Sequence, residues 1–489
     1  MTRVVPRAKA RLAQALDWRV RQLFGDARMD HWLVGVAKVW RPRLKNPRFI
    51  GITGSAGKTT TKELLLGVLS YKSRGIANPG TLNVLPEVAK TILRVRPKHA
   101  FCIAELTEDR PGVMDEQLAL LQPSIGIVTI VQSDHVAAYS SVDGIALEMQ
   151  KLIASLPADG FALLNADDPR VLAMAASCRA TVITFGVSQS AQIQAENVSA
   201  SWPERLQMTV VRGLERVPVV TQLCGTHWVP SVLGAIGAGL ATGMTLQECA
   251  AAIASVAPFE GRMQPVTTPD GVSFIRDDLK APLWTIPPAL QFLREATAKR
   301  KIAIIGSISD YEGNSKRSGS LLRQRAYTSV ATEALEIADH VIFIGPQATK
   351  CLKAKRHVDD DALQAFYSVE AARDYLQDLL QPGDLVLLKG TQRQECLADV
   401  IGIFSNETGA KRQASERPRA EAISVAPPNA QAKPHDAAQT KPVRAIVGLG
   451  NAGEQFRNTR HNVGFHALDA FAQAKGVAWQ QSDLGDVAT

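Results

Sequence analysis

The sequence predicts an α/β protein with two successive sheets. From Phe49 onwards, short apolar runs that end in polar or turn residues alternate with helical stretches. Continuous apolar runs are typical of strands that helices cover on both faces, as in parallel sheets. Such runs lie at 49–54, 100–106, 124–131, 160–167 and 181–187, and a second series lies at 301–307, 340–346 and 384–390. We therefore predict a central α/β domain with a parallel sheet over 46–258 and a second α/β domain over 259–404.

The first fifty residues are strongly basic. They carry twelve Lys and Arg against three Asp, whereas the formal net charge of the whole chain is only +8. Val4, Leu12, Leu16, Val20 and Phe24 fall on one face of a helix. We predict a basic helical segment over 1–45 whose apolar face packs on the next domain. The alternative is peripheral contact with an anionic membrane surface, or with RNA.

Composition excludes several classes of protein. With 489 residues, 46% hydrophobic and 21% charged, the chain is of ordinary globular type. No apolar run reaches the roughly 18 residues of a membrane span, and no signal peptide is evident. The six cysteines are scattered, without the close pairs of a zinc site. We expect a cytoplasmic protein with reduced thiols.

The stretch that follows residue 404 differs from the rest. Residues 405–442 are rich in Ala, Pro, Gln and charge, with few large apolar side chains. Such a segment cannot bury enough apolar surface to order itself, so we predict a disordered linker. A new segment, which we expect to be part of an α/β domain, begins at 443.

The segment GITGSAGKTTTKELL, from Gly51 to Leu65, is typical of a phosphate-binding loop. A strand leads into glycines, and a helix begins at Lys58-Thr59. Glycines let backbone N–H groups turn towards phosphate oxygens, and the helix N-terminus adds a positive dipole end. The glycine spacing differs from the common G-x-x-x-x-G-K-[ST], because Ile52 stands where the first glycine is usual. The predicted ATP-binding residues are Gly54, Ser55, Ala56, Gly57, Lys58, Thr59 and Thr60.

Two further residues follow other predicted strands. Glu105 ends one apolar run, and His135 comes just after another. The carboxyl ends of parallel strands share one edge of a sheet, where ligands bind. Thr59, Glu105 and His135 therefore form a predicted magnesium site beside the loop, although a lone histidine is more often structural.

Taken together, these motifs resemble the Mur ligases, especially those that add D-alanyl-D-alanine to peptidoglycan precursors. The resemblance covers about 46–404 in order. It rests on GITGSAGKTTTKELL, PGTLNVLPEVAKTIL, IAEL, PSIGIVTIVQSDHVAAYSSVDGIA, LLNADDPRV, FEGRMQPV, DDLKAP and GDLVLLKGT.

The resemblance implies an ATP- and Mg²⁺-dependent ligase with a P-loop central domain and a Rossmann-like C-terminal domain. ATP would phosphorylate a small-molecule carboxylate, and an amino acid or dipeptide amine would then form the amide. Lys58, His135 and Lys280 would be catalytic, with Lys280 near the transferred phosphate. Arg262 would approach phosphate and Asp278 the ribose, while Asn83 would contact phosphate or substrate.

Three departures leave an alternative open. Met149 stands where family members carry a lysine, often carbamylated, that holds a second magnesium, and Lys151 is a poor replacement. The segment His227-Trp228-Val229-Pro230-Ser231 lacks the asparagines that reach adenine in the family. Only about fifty residues precede the loop, too few for the UDP-sugar domain. The alternative is a nucleotide-binding pseudo-ligase or partner subunit.

The tail carries IVGLGNAGEQFRNTRHNVGF, which contains a G-x-G-x-x-G pattern at Gly448, Gly450 and Gly453. A lone dinucleotide fingerprint is weak evidence. The segment resembles more closely the opening of bacterial peptidyl-tRNA hydrolase, which implies a substrate contact at Asn451 and a general base at His461. Only 443–489 match, so we expect a truncated segment that cannot fold alone. A peptidyl-tRNA hydrolase-related fusion remains a second alternative, but we expect small-molecule rather than nucleic-acid partners.

Overall fold

A computed structural model of the chain describes residues 26–309, 319–355, 357, 360–392, 395–405, 479–482 and 485–488. The chain divides into two compact units, Met1–Ser424 and Val425–Thr489. The predictions for 1–25, for the linker at 406–442, and for Asn451 and His461 lie outside the described residues.

A nine-stranded sheet forms the first part of the larger unit. Its spatial order is β2-β3-β1-β4-β5-β6-β7-β8-β9. The strands are β1 Arg48–Thr53, β2 Gly75–Ala77, β3 Phe101–Glu105, β4 Ile125–Val128, β5 Phe161–Asn165, β6 Thr181–Gly186, β7 Ile193–Ser199, β8 Gln207–Arg212 and β9 Glu215–Val220.

The prediction of a mostly parallel sheet is confirmed, because strands β1 to β7 are parallel. Strands β8 and β9 are antiparallel to their neighbours, so the sheet is mixed. Buried and more exposed residues alternate along β8 and β9, because only one face of this extension is covered. The two strands therefore lack the continuous apolar run by which the others are predicted.

Helices cover both faces of the parallel part. Ile50 and Ile52 of β1 belong to one apolar cluster, whereas Phe49, the residue before Ile50, belongs to another. Alternate residues of a strand point to opposite faces, so the two clusters are the two layers of a doubly covered sheet. The helices are α1 Asp26–Trp40, α2 Lys58–Ser70, α3 Leu85–Arg94, α4 Val113–Leu121, α5 Val136–Tyr139, α6 Val142–Ala154, α7 Pro169–Ala173, α8 Val229–Ala241 and α9 Leu246–Ala254, with 3₁₀ turns at Arg41–Arg43, Met174–Ser177 and Thr226–Trp228.

A six-stranded sheet forms the rest of the larger unit, in the order β10-β11-β15-β12-β13-β14. It is parallel except for the edge strand β10. The strands are β10 Gln264–Thr267, β11 Ser273–Asp277, β12 Arg300–Ile305, β13 His340–Ile344, β14 Leu363–Phe366 and β15 Asp384–Lys389. The helices are α10 Ile286–Glu295, α11 Gly319–Leu335, α12 Val369–Leu379 and α13 Asp399–Ser405, with 3₁₀ turns at Leu283–Thr285 and Ala348–Ala354.

Helix α1 is anchored at its C-terminal end. Trp40 Nε1 donates to the Val95 carbonyl at 3.4 Å, and Arg41 Nε donates to the Leu121 carbonyl at 2.7 Å. The Arg41 guanidinium also lies 3.6 Å from the centre of the Phe49 ring. These contacts favour the packed interpretation of residues 26–45. Among the described residues, no helix is long and apolar enough to cross a membrane.

In the smaller unit, β16 Trp479–Ser482 pairs antiparallel with β17 Gly485–Ala488.

Candidate active site

The phosphate-binding loop connects β1 to α2 at the carboxyl edge of the first sheet. Gly54 and Gly57 adopt φ values of 137° and 80°, which favour glycine. A Cβ at Gly54 would lie 2.0 Å from Thr129 Oγ1, so the loop has no room for a side chain there. No side chain caps the N-terminus of α2, whose first amides therefore stay free for an anion. The loop fits a nucleotide phosphate.

Residues that follow β4 hold this loop in shape. Thr129 Oγ1 donates to the Ala56 carbonyl. Ser55 Oγ donates to the Gln132 carbonyl at 3.0 Å, and the Gln132 amide donates back at 2.8 Å. From α8, Ser231 Oγ donates to the Gly57 carbonyl at 3.4 Å. Sequence reasoning missed these contacts, because they join residues 73 to 174 positions apart.

Two predicted site residues meet directly at the start of α2. Thr59 Oγ1 donates to Glu105 Oε2 at 2.8 Å, and Asn83 Nδ2 donates to Glu105 Oε1 at 3.1 Å. The register that pairs Ile52 with Glu105 brings the ends of β1 and β3 side by side. Hydroxyl and carboxylate oxygens are the ligands that Mg²⁺ prefers, and it commonly completes its shell with phosphate oxygens and water. The donor set fits such an ion.

His135 lies beside this group but is turned towards a different carboxylate. It adopts a left-handed conformation with φ 54°, at the N-terminus of α5. Its Nε2 lies 3.7 Å from Asp134 Oδ2. The predicted trio of Thr59, Glu105 and His135 is thus brought together only in part. Among the described residues, no group of three His, Cys, Asp or Glu side chains is placed to hold a metal ion.

Lys58 does not extend into open solvent. Its Nζ donates to the Gly54 carbonyl at 2.6 Å and pairs with Glu108 Oε1. Thr53 Oγ1 donates to Glu108 Oε2 at 3.3 Å. Glu108 is fully buried, and sequence reasoning missed it. The available signal was a second acidic residue three positions after Glu105.

Lys58 and Glu108 shift each other's pKa. Burial acts to lower the pKa of Lys58, but the carboxylates of Glu108, Asp134 and Glu105 outweigh it and raise that pKa. Lys58 therefore stays protonated. Burial raises the pKa of Glu108 above its ordinary value, against the opposing charge of Lys58.

The residues predicted in the second region lie around the ends of β11 and β15. Asp278 is buried and engaged by Arg276, whose Nε lies 3.2 Å from Asp278 Oδ1. Lys280 is exposed, and its carbonyl accepts a hydrogen bond of 3.1 Å from Lys389 Nζ. Arg262 follows Gly261, which has φ 69°, and its side chain is half-buried.

Met149 is fully buried within the apolar layer that also contains Leu152 and Ile153. Lys151 instead points to the protein surface, where Nζ lies 2.6 Å from Asp115 Oδ2 and 2.9 Å from Glu148 Oε2. Neither residue therefore offers a cation ligand at the position where the resemblance expects a lysine.

His227 and Trp228 pack together at the start of α8, with ring centres 4.7 Å apart. Burial lowers the pKa of His227 to about 4, so the imidazole is neutral at physiological pH. Trp228 Nε1 is buried and has no partner among the described residues.

A cavity of about 370 Å³ lies between the two sheets of the larger unit. One wall is formed by Pro79, Gly80, Thr81 and Leu82, directly before Asn83. The rest of the lining comes from the second region and consists of Phe259, Glu260, Leu279 and Gln392. The cavity is mainly apolar, and the segment that contributes one wall leads into the Asn83–Glu105 contact.

Comparison with family models assigns the chain to a class. Residues 52–239 match the Mur ligase middle domain, and residues 261–392 match the Mur ligase glutamate ligase domain. Because these matches cover about two thirds of the chain, it belongs to the Mur ligase family, the ATP-dependent ligases that form amide bonds. Residues 445–488 match the peptidyl-tRNA hydrolase model.

Similar individual proteins narrow the class. The UDP-N-acetylmuramoyl-tripeptide–D-alanyl-D-alanine ligase of Mycobacterium tuberculosis H37Rv is 29% identical over 375 residues, covering 73% of each chain. A crystal structure of MurF from Acinetobacter baumannii superposes with a TM-score of 0.69 at 21% identity, covering 77% of this chain and 80% of that one. The MurF ligase of Thermotoga maritima in complex with ADP gives 0.66 at 18% identity, covering 77% and 83%.

Proposed function

We propose that the chain joins an amino acid or dipeptide amine to a small-molecule carboxylate, in peptidoglycan precursor synthesis or a related peptide-adding pathway. The products would be an amide, ADP and phosphate. One observation carries the proposal: the contact of Thr59 and Asn83 with Glu105, next to Lys58 and at the mouth of an uncapped phosphate loop. The names of the curated relatives support this class of substrates.

The chain's own residues have distinct tasks in this proposal. The amides of residues 54–60 bind the phosphates, and the Lys58 ammonium neutralises charge on them. Arg262 supports phosphate from the second region, Asp278 holds the ribose, and Lys280 lies near the transferred phosphate. Asn83 orients substrate next to the 370 Å³ cavity. Magnesium, held by Thr59, Glu105 and His135, would supply further charge neutralisation.

The test is phosphate release measured with ATP, magnesium and a panel of paired substrates. The panel contains muramoyl peptides, D-amino-acid dipeptides and polyglutamate-like acceptors. We expect release only when a carboxylate and an amine are both present, and its loss in Lys58→Ala. The control is Lys72→Ala, which removes an exposed lysine that pairs with Glu248 at the other end of α2. Phosphate release that needs no amine would contradict the proposal.

A second function is a nucleotide-binding pseudo-ligase or partner subunit. Burial of Met149 in the apolar layer favours it, because that position provides no cation ligand. Tight ATP binding without amide formation across the whole panel would support this second function over the first.

Location and partners complete the proposal. The alternative role of the basic segment at 1–45 is contact with an anionic membrane surface from the cytoplasm. Binding of the full chain to anionic vesicles, compared with neutral ones, tests that contact. Weaker binding at higher salt is expected, because such attraction is screened. If the tail at 443–489 acts as a hydrolase, His461 would be its general base. Cleavage of N-acyl-aminoacyl-tRNA that persists in His461→Ala would rule out this role.

A further inference from the structure

Glu108 is a buried acid at the loop for which the ligase reaction provides no role. It lies in the loop that follows β3, and its carboxylate is completely shielded from solvent. Its two carboxylate oxygens accept hydrogen bonds from different residues. Lys58 Nζ donates to Oε1, and Thr53 Oγ1 donates to Oε2. Thr53 ends β1 and Lys58 begins α2, so the two donors flank the phosphate loop, and Glu108 contacts both of its ends from the loop that follows β3.

The surroundings of Lys58 are anionic overall. Glu105, Glu108 and Asp134 are each no more than 2% exposed. Asp134 Oδ1 is also without a hydrogen-bond partner among the described residues. One ammonium thus faces three desolvated carboxylates, with His135 paired to Asp134 at 3.7 Å. The position of Lys58 is therefore determined by Glu108 as well as by the loop.

We propose that Glu108 is a positioning residue that holds Lys58 in the nucleotide-free loop and competes with nucleotide phosphates for it. This inference rests on the proposed nucleotide site. A phosphate that recruits Lys58 must draw Nζ away from Glu108. Of its two donors in the described part of the chain, the buried carboxylate then keeps the Thr53 hydroxyl alone, and leaving a buried charge without its partner is costly. Glu108 thereby sets a weaker nucleotide affinity than the loop alone would give.

The first experiment measures ADP binding to the full chain by calorimetry, with magnesium and without the other substrates. We expect Glu108→Gln, which keeps the volume and removes the charge, to tighten ADP binding by about tenfold or more. The matched control is Glu148→Gln. Glu148 is another buried acid paired with a lysine, at 2.9 Å from Lys151 Nζ, but it does not touch the loop. This control should leave the affinity unchanged.

A second variant tests the competition independently. Thr53→Val removes the other donor that Glu108 has among the described residues. It should weaken ADP binding, because the carboxylate that Lys58 leaves then loses this second hydrogen bond as well. The effect should vanish in the double variant Thr53→Val/Glu108→Gln, which should bind as tightly as Glu108→Gln. A merely structural role of Glu108 would give additive losses instead.

The outcomes separate this inference from the proposed function. If wild type binds ADP and Glu108→Gln binds it equally or more weakly, Glu108 does not compete, and only this inference is overturned. Weaker binding restricted to magnesium-containing buffer would mean that Glu108 is a cation ligand, which overturns it as well. If neither protein binds ADP or ATP, both the inference and the proposed function fail.

Discussion

Lys389 Nζ lies 2.6 Å from Asp277 Oδ2, and both side chains are buried where β15 and β11 end side by side. Burial lowers the pKa of Lys389, with Asp277 opposing that shift. We expect Lys389→Met to lower the free energy of unfolding by about 3–5 kcal/mol, because it leaves Asp277 buried without its partner. Urea denaturation measures this change. The control Glu260→Gln breaks the largely exposed contact with Arg276 and should cost less than about 1 kcal/mol. Equal effects of the two substitutions would contradict the prediction.

Two threonines of α2 form a matched pair. Thr59→Val removes the hydroxyl that donates to Glu105, and we expect it to raise the magnesium concentration needed for half-maximal phosphate release at least several-fold. Thr61→Val removes a buried hydroxyl that has no partner among the described residues. It should leave the magnesium requirement unchanged and stabilise the fold by about 1 kcal/mol. Similar magnesium requirements in both variants would argue against a metal role for Thr59.

The loop glycine at position 54 offers a steric test. Gly54→Ala places a Cβ 2.0 Å from Thr129 Oγ1 at φ 137°, so we expect ADP binding to fall below detection. The control is Gly35→Ala in α1, where a Cβ has no heavy atom within 4 Å among the described residues. This change should preserve binding and add about 0.5–1 kcal/mol of stability through helix propensity. Calorimetry measures ADP binding to both variants. Retained binding in Gly54→Ala would contradict the prediction that the loop has no room for a side chain at position 54.

The buried His227 should make the free energy of unfolding depend on pH. Its folded pKa of about 4 lies below the ordinary 6.5, since burial lowers it while Asp277 raises it and Lys389 lowers it further. Below pH 6.5 the unfolded chain gains a proton that the folded chain accepts only near pH 4. Stability should therefore fall as pH drops through this window, by about 2 kcal/mol between pH 7.5 and 5 from this residue. Urea denaturation of wild type and His227→Gln should show a shallower fall in the variant. Parallel curves would contradict the assignment.

Much of the fold follows from local sequence pattern. Each of the eight apolar runs predicted as strands contains a strand in the structure, because a strand covered on both faces must be apolar throughout. Strands β7, β8 and β9 are only partly covered, β2 has three residues, and β10, β11 and β14 are short. These strands lack the pattern and were not predicted, nor were β16 and β17. Their pairing depends on neighbours distant in the chain.

The candidate site also contains a part that local sequence pattern predicts and a part that depends on residues distant in the chain. The phosphate loop is a local strand–glycine–helix pattern, so its residues could be predicted from the sequence alone. The Lys58–Glu108 contact depends on the register of β1 against β3, which no local pattern reveals. The roles of Arg262, Asp278 and Lys280 stay predictions, because their contacts here are with residues of their own region or with solvent.

The thioether of Met149 also decides whether carbon dioxide can modify this position. A carbamate forms when carbon dioxide combines with a neutral lysine amine, and the resemblance to the Mur ligases implies such a lysine where Met149 stands. Met149 has no amine and is sealed in an apolar layer. A carbamate cannot form at residue 149, so carbon dioxide cannot create a cation ligand at this position.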